Sequence, residues 1–211
     1  MMVVLDASTR VSAMPSADSK RHPAVRRFLA RAALFVAILL LLDYALGAVL
    51  TYGLKRHFGI HGNAPVLCVG HSRMVLGIDA DILEQALGVP VAKYTIRGAN
   101  AADRFAMIRH FLTEHPDVRV ILYDVESTSF AVSGLSANSY RLFFPFIENP
   151  EMAAYLRQHT ESAVQLRLRQ VLRTSRFDEV TLSLAIRGLT GTTRNMKDRK
   201  IRSGAGAAPH R

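Results

Sequence analysis

Cysteine is almost missing from this chain. Cys68 is the only one among 211 residues, so an intrachain disulfide is excluded, and the apolar run around it suits a small buried thiol. Acidic residues are scarce too: 17 stand against 27 lysines and arginines, a formal net charge of +10. Metal ligands are thin. His57, His61 and His71 are near one another in sequence, but no Asp, Glu or Cys joins them at useful spacing, so neither a metal nor another cofactor is expected. His110 and His115, on and just after a helical stretch, read as solvated. No internal repeat is present.

What is present in excess is apolar sequence in one place. Ala32–Leu54 reads AALFVAILLLLDYALGAVLTYGL, with Asp43 its one ionisable acid. At 1.5 Å per residue it reaches about 34 Å, enough to cross a hydrocarbon core of roughly 30 Å. It is longer than a signal-peptide core, starts some thirty residues in, and has no small-x-small cleavage site after it, so an uncleaved anchor is expected. Asp43 costs about 2.5–3.5 kcal/mol on insertion scales, which one acid in a leucine-rich span can bear, and marks a contact with a partner helix. Arg10, Lys20, Arg21, Arg26, Arg27 and Arg31 precede the span, against Lys55 and Arg56 after it. The positive-inside bias therefore predicts an inner-membrane, single-pass protein of bacterial type with its C-terminal domain in the periplasm.

The remaining cations gather after residue 156. An extracytoplasmic domain seldom meets nucleic acid, so none is expected as a partner. Membrane lipid, through anionic headgroups, or a plain solvated helix face accounts for the charge.

The domains read as a cytoplasmic tail (1–31), a transmembrane helix (32–54), a short linker (55–63), an α/β domain (60–190) and a basic, disordered tail (191–211). From residue 64 the pattern alternates. Ala64–Val69 and Val89–Ile96 read as strands, Asp79–Leu87 and Ala101–Glu114 as helices, and Val118–Val125 as a third strand. In the second helix Phe105, Ile108, Phe111 and Leu112 fall at helical spacing. Such an order predicts right-handed crossovers and a parallel sheet covered on both faces, a three-layer, flavodoxin-like α/β fold. Glu151–His159, Ser162–Thr174 and Glu179–Leu189 form a C-terminal helical segment. Tyr140, Phe143, Phe144 and Phe146 cluster around Pro145, where core packing, a membrane-surface contact or an acyl pocket would each use them.

In open parallel sheets ligands bind beyond the C-terminal strand ends. Three segments fall there: Gly70-His71-Ser72-Arg73, Arg97-Gly98-Ala99-Asn100, and Tyr123-Asp124-Val125-Glu126. Ser72 would begin a helical turn, with its hydroxyl facing the crevice and the free N–H groups of that turn available to a developing oxyanion. Gly98 lets a second N–H approach, and the Asn100 amide supplies a third donor. Ordinary turn and N-cap chemistry explains a G-x-S after a strand equally well.

The stretch VLCVGHSRMVLGIDADILEQAL, with IRGANAADRFAMIRHFL and VRVILYDVESTSF after it, resembles the SGNH (GDSL-like) hydrolase superfamily. It is most similar to the membrane-anchored bacterial branch with a G-[SDH]-S-R first block, and LLLLDYALG in the span fits that branch. The likeness covers roughly residues 35–190 and is sharpest over 64–130. It implies Ser72 as catalytic nucleophile and Gly98, with Asn100, as oxyanion hole, and His71 and Asp124 as auxiliary residues. His71 stands where the family usually has an acid, and the third block lacks its G-x-N-D asparagine. The D-x-x-H block is absent, since His159 and His210 are the only histidines after Asp124. The resemblance therefore implies an esterase or acyltransferase acting on an acyl ester or polysaccharide of the cell envelope, truncated or short. The alternative is a catalytically degenerate domain serving as a binding or assembly subunit.

Overall fold

A computed structural model describes residues 23–125, 136–160 and 162–191, so most of the expected tails lie outside the described residues. The chain divides into two compact units, Met1–Leu39 and Leu40–Arg211. Helix α1, Pro23–Phe58, begins with proline at its first position, where the missing N–H is not needed. Residues 23–31, expected in the tail, are therefore helical. From Ala24 to Phe58 the helix is long and apolar enough to span a membrane. In the first unit it is exposed along its described side chains.

In the second unit the same helix becomes part of a protein core. Leu50, Leu54 and Phe58, four residues apart, are buried, and so is Ile60 just beyond. The expected linker from Lys55 is corrected accordingly: its first four residues finish α1, and Phe58 to Ile60 are core. Hydropathy alone cannot separate a lipid-facing leucine from a core leucine, which is why the change goes unmarked in the sequence. Asp43 accepts hydrogen bonds from the backbone N–H groups of Arg173 (2.7 Å) and Thr174 (3.1 Å), and from the Thr174 hydroxyl. The Arg173 guanidinium stacks 3.7 Å from the Tyr44 ring centroid.

A small parallel sheet lies within mostly helical structure. Strands β1 (Val66–Gly70), β2 (Val91–Thr95) and β3 (Val120–Tyr123) lie in the order β2-β1-β3, with Val66 opposite both Val91 and Val120. After β1 come α2 (Ser72–Gly77) and α3 (Ala80–Leu87), and α4 (Ala101–Glu114) connects β2 to β3. Then follow α5 (Ala137–Phe143), a 3-10 turn at Phe144–Phe146, α6 (Pro150–His159), α7 (Ala163–Val171), a second 3-10 turn at Thr174–Arg176, and α8 (Glu179–Thr190). The helices start where their caps are. Asp79, Asn100, Asn149 and Asp178 each accept a hydrogen bond from first-turn N–H groups. Helix α8 lies against α1 so closely that a Cβ on Gly188 would strike the Gly53 carbonyl, backbone against backbone.

Two expectations need correcting. The sheet is not covered on both faces throughout: β1 and β2 are buried, whereas Val120, Ile121 and Leu122 of β3 are 46, 38 and 37 % exposed. Successive residues of a strand point to opposite faces, so β3 is open on both sides. Histidines 110 and 115 are not solvated but buried, His110 to 1 % exposure. Its Nδ1 is 3.1 Å from the Tyr94 hydroxyl, and the His115 ring stacks on Phe111 at 4.0 Å. The reason is that α4 turns Asp103, Arg104, Met107 and His110 inward and leaves Phe105 and Leu112 exposed. Phe143, Phe144 and Phe146 of the aromatic cluster pack in the core with Phe58 and Tyr94.

Candidate functional site

The three strand ends meet as a parallel sheet requires. Ile96 N donates to the Gly70 carbonyl at 3.1 Å, and Asp124 N to the Val69 carbonyl at 3.1 Å. His71 then caps α2 in an extended conformation, and Ser72 is the first helical residue. Gly98 takes φ +77, a left-handed turn that side chains rarely adopt, and Ala99 N closes it onto the Ile96 carbonyl at 3.2 Å. Asn100 sits buried at the N-cap of α4. Its Oδ1 accepts from Asp103 N at 2.9 Å, so the amide's carbonyl serves the helix.

The structure brings His71 and Asp124 together, with Nδ1 2.9 Å from Oδ2. Nδ1 is also 3.2 Å from the Arg73 backbone N–H. One ring nitrogen has one in-plane direction, so it either gives a proton to Asp124 or accepts one from Arg73. The shorter distance favours Asp124. Alignment does not, because Asp124 Oδ2 makes no hydrogen bond of good geometry. The His71–Asp124 contact is therefore a close approach rather than a hydrogen bond, and Nδ1 accepts from Arg73 N. Ser72 is exposed, and among the described residues its hydroxyl makes no hydrogen bond to a histidine, to Gly98 or to Asn100.

Arg104 is a residue that sequence reasoning missed. It is fully buried beneath the strand ends, donating from Nε to the Asn100 carbonyl at 3.2 Å and from its Nη1 to the Asp124 carbonyl. Its guanidinium carbon is 5.0 Å from the Tyr123 ring centroid, and its Nη2 is buried without a hydrogen-bond partner. The only signal in the sequence is its place four residues after a helix cap. Lys93 is likewise buried, on β2, and donates to the carbonyls of Val75 (2.9 Å) and Ile78 (2.6 Å) at the end of α2. Opposite it on β1, Cys68 has no exposure. Burial pushes its thiol up to about 11 despite the nearby Lys93.

A mostly apolar cleft of about 230 Å³ opens beside the end of β2, lined by Val75, Ile96, Arg97, Arg141, Leu142 and Leu184 among others. Ser72, His71 and Asn100 are not on its wall. Among the described residues no three His, Cys, Asp or Glu side chains group as metal ligands. His159 packs its ring 4.5 Å from that of Tyr155 on α6. No protein-family model, curated protein or solved structure matches the chain.

Proposed function

We propose that this chain is a single-span, inner-membrane protein whose periplasmic part is a three-layer, SGNH-like α/β domain, and that the domain binds an acyl-bearing envelope component without turning it over on its own. The observation that carries this reading is the state of Ser72. A serine hydroxyl is a weak nucleophile until a positioned base takes its proton, and no histidine is hydrogen-bonded to it among the described residues. His71 is its neighbour in sequence, but its side chain is turned to the start of α2, where Nδ1 accepts from the Arg73 backbone N–H, and no hydrogen bond joins the ring to the Ser72 hydroxyl. The apolar cleft next to Arg97 and Arg141 suits an acyl chain carrying an anionic group.

A second reading, ester hydrolysis or acyl transfer with Ser72 as nucleophile and Gly98 and Asn100 as oxyanion donors, draws support from the His71–Asp124 contact. A histidine oriented by a carboxylate beside a serine is the arrangement that activates one. Treating the purified full-length protein with a fluorophosphonate probe, with p-nitrophenyl esters as substrate, separates the two. Binding alone predicts little labelling, and turnover several orders of magnitude below that of an active serine hydrolase. Rapid labelling abolished by Ser72→Ala would establish the enzymatic reading instead.

A further inference from the structure

Helix α7 is two-faced in an unusual sense. Leu166 is buried against the core, yet on the opposite side Val164, Leu168 and Val171 are 78, 53 and 68 % exposed. Their i, i+4, i+7 spacing puts all three within one narrow stripe. A helix that met only water would carry polar side chains there. Beside the stripe, Arg167 is exposed and makes no ion pair among the described residues.

The helix's place in the fold says what covers it. Its C-terminal end runs into the 3-10 turn that Asp43 holds, so α7 meets α1 fifteen residues before Phe58, about 22 Å along the helix axis. Asp43 is midway along the apolar run, but α1 is already held by protein there and is buried at Leu50, Leu54 and Phe58. The length left to lipid therefore lies before Asp43, whose level is that of the bilayer surface. Within the second unit α1 also keeps an outward apolar strip there: Leu41, Leu42, Tyr44, Leu46, Val49 and Tyr52 are all exposed. The charge agrees. From residue 157 to 187 the sequence has six arginines against three acids.

We propose that α7 is a membrane-docking element. Its Val164–Leu168–Val171 stripe lies in the interfacial layer of the bilayer that α1 enters, and Arg167 meets anionic phospholipid headgroups. An interfacial helix of this kind buries an apolar face at the headgroup–acyl boundary and gains from negative lipid. The docking rests on reading α1 as a membrane span.

The chain has no tryptophan, so each introduced one is the sole strong emitter. Full-length Leu168→Trp and Val164→Trp are reconstituted into phosphatidylcholine–phosphatidylglycerol vesicles, with and without acyl chains brominated near the headgroup. Phe35→Trp in the apolar run is the positive control, and Ile82→Trp on α3 the water-exposed one. Docking predicts blue-shifted emission at positions 168 and 164 that loses its larger part to brominated lipid, with less quenching when phosphatidylglycerol is left out. Position 82 should be quenched by aqueous iodide only. If Phe35→Trp is quenched and the α7 positions are not, the docking inference fails while the span stands. Blue-shifted but unquenched emission at α7 would mean that a protein covers the stripe, which also overturns it. An unquenched Phe35→Trp would remove the span itself, and docking with it.

Discussion

Asp103 concentrates more of the fold than any residue of the candidate site. Fully buried, it accepts from the hydroxyls of Tyr155 (2.8 Å) and Ser139 (2.9 Å) and from the backbone N–H groups of Asn100 (3.2 Å) and Ser136 (3.3 Å). Burial and the adjacent carboxylate both raise the Tyr155 phenol, which stays a donor at any ordinary pH. Asp103→Ala leaves these donors without an acceptor and is expected to lower unfolding stability by about 3–5 kcal/mol. Tyr155→Phe should cost about 1.5–3, both read from denaturant titrations in detergent. The Asn100-x-x-Asp103 capping box could be read from sequence. Its partners from α5 and α6 could not, because they lie 33 to 52 residues further on. A partly exposed carboxylate beside the buried His110 is pH-sensitive. His110 and Lys55 together hold the Glu114 carboxyl down to about 2. The ring is 3.7 Å from Glu114, too far for a hydrogen bond, and Lys55, at 2.7 Å, is the true partner. The Glu114 contribution is therefore complete above its ordinary value of 4.5 and fades as pH falls towards 2. Burial lowers His110, so its contribution is present above 6.5 and fades below it. Lys55→Met should move the acid limb of the stability profile upward, towards 4.5.

At the scale of elements, α1 is exposed and mostly apolar up to Leu39 and joins the protein core at Leu50, Leu54 and Phe58. In an isolated lipid-facing span, Asp43→Leu would favour insertion by about 2.5–3.5 kcal/mol. Here the carboxylate satisfies the N–H groups of Arg173 and Thr174. The same change should therefore cost the second unit about 1–3 kcal/mol, visible as faster limited proteolysis of α7 and α8 while membrane extraction is unaltered. Gly188→Ala tests the neighbouring contact, since the obstacle is the Gly53 backbone and no side chain can move aside. Overpacking of that kind costs about 1–3 kcal/mol, whereas Gly77→Ala, with open space around it, should be neutral or better. Elements with capping residues were legible to within one to two residues: α3, α4, α6 and α8 each begin beside an Asp or Asn. Helix α5 was not, because Ser136 begins it amid a run of small polar residues and aromatics that has no clear period. The docking of α1 was invisible for a different reason, since glycines and leucines serve lipid and helix contacts alike.

For the whole molecule, the parallel sense of the sheet followed from alternating strands and helices, whereas the openness of β3 did not. A valine-rich strand reads as central whether or not neighbours cover it. Orientation also belongs to this scale. A reporter active only outside the cytoplasm, fused after Thr190, is expected to be active, and one that works only inside to be silent. The reverse pattern would overturn the periplasmic assignment. Finally, the burial of Cys68 makes this protein, while folded, behave towards thiol reagents as though it had no cysteine. Maleimide can reach the sulfur only after β1 has parted from its neighbours. In excess reagent the labelling rate therefore counts opening events of the sheet rather than the reactivity of a thiol. The strand most deeply set in the domain thus carries its own clock, and Asp103→Ala should make that clock run faster.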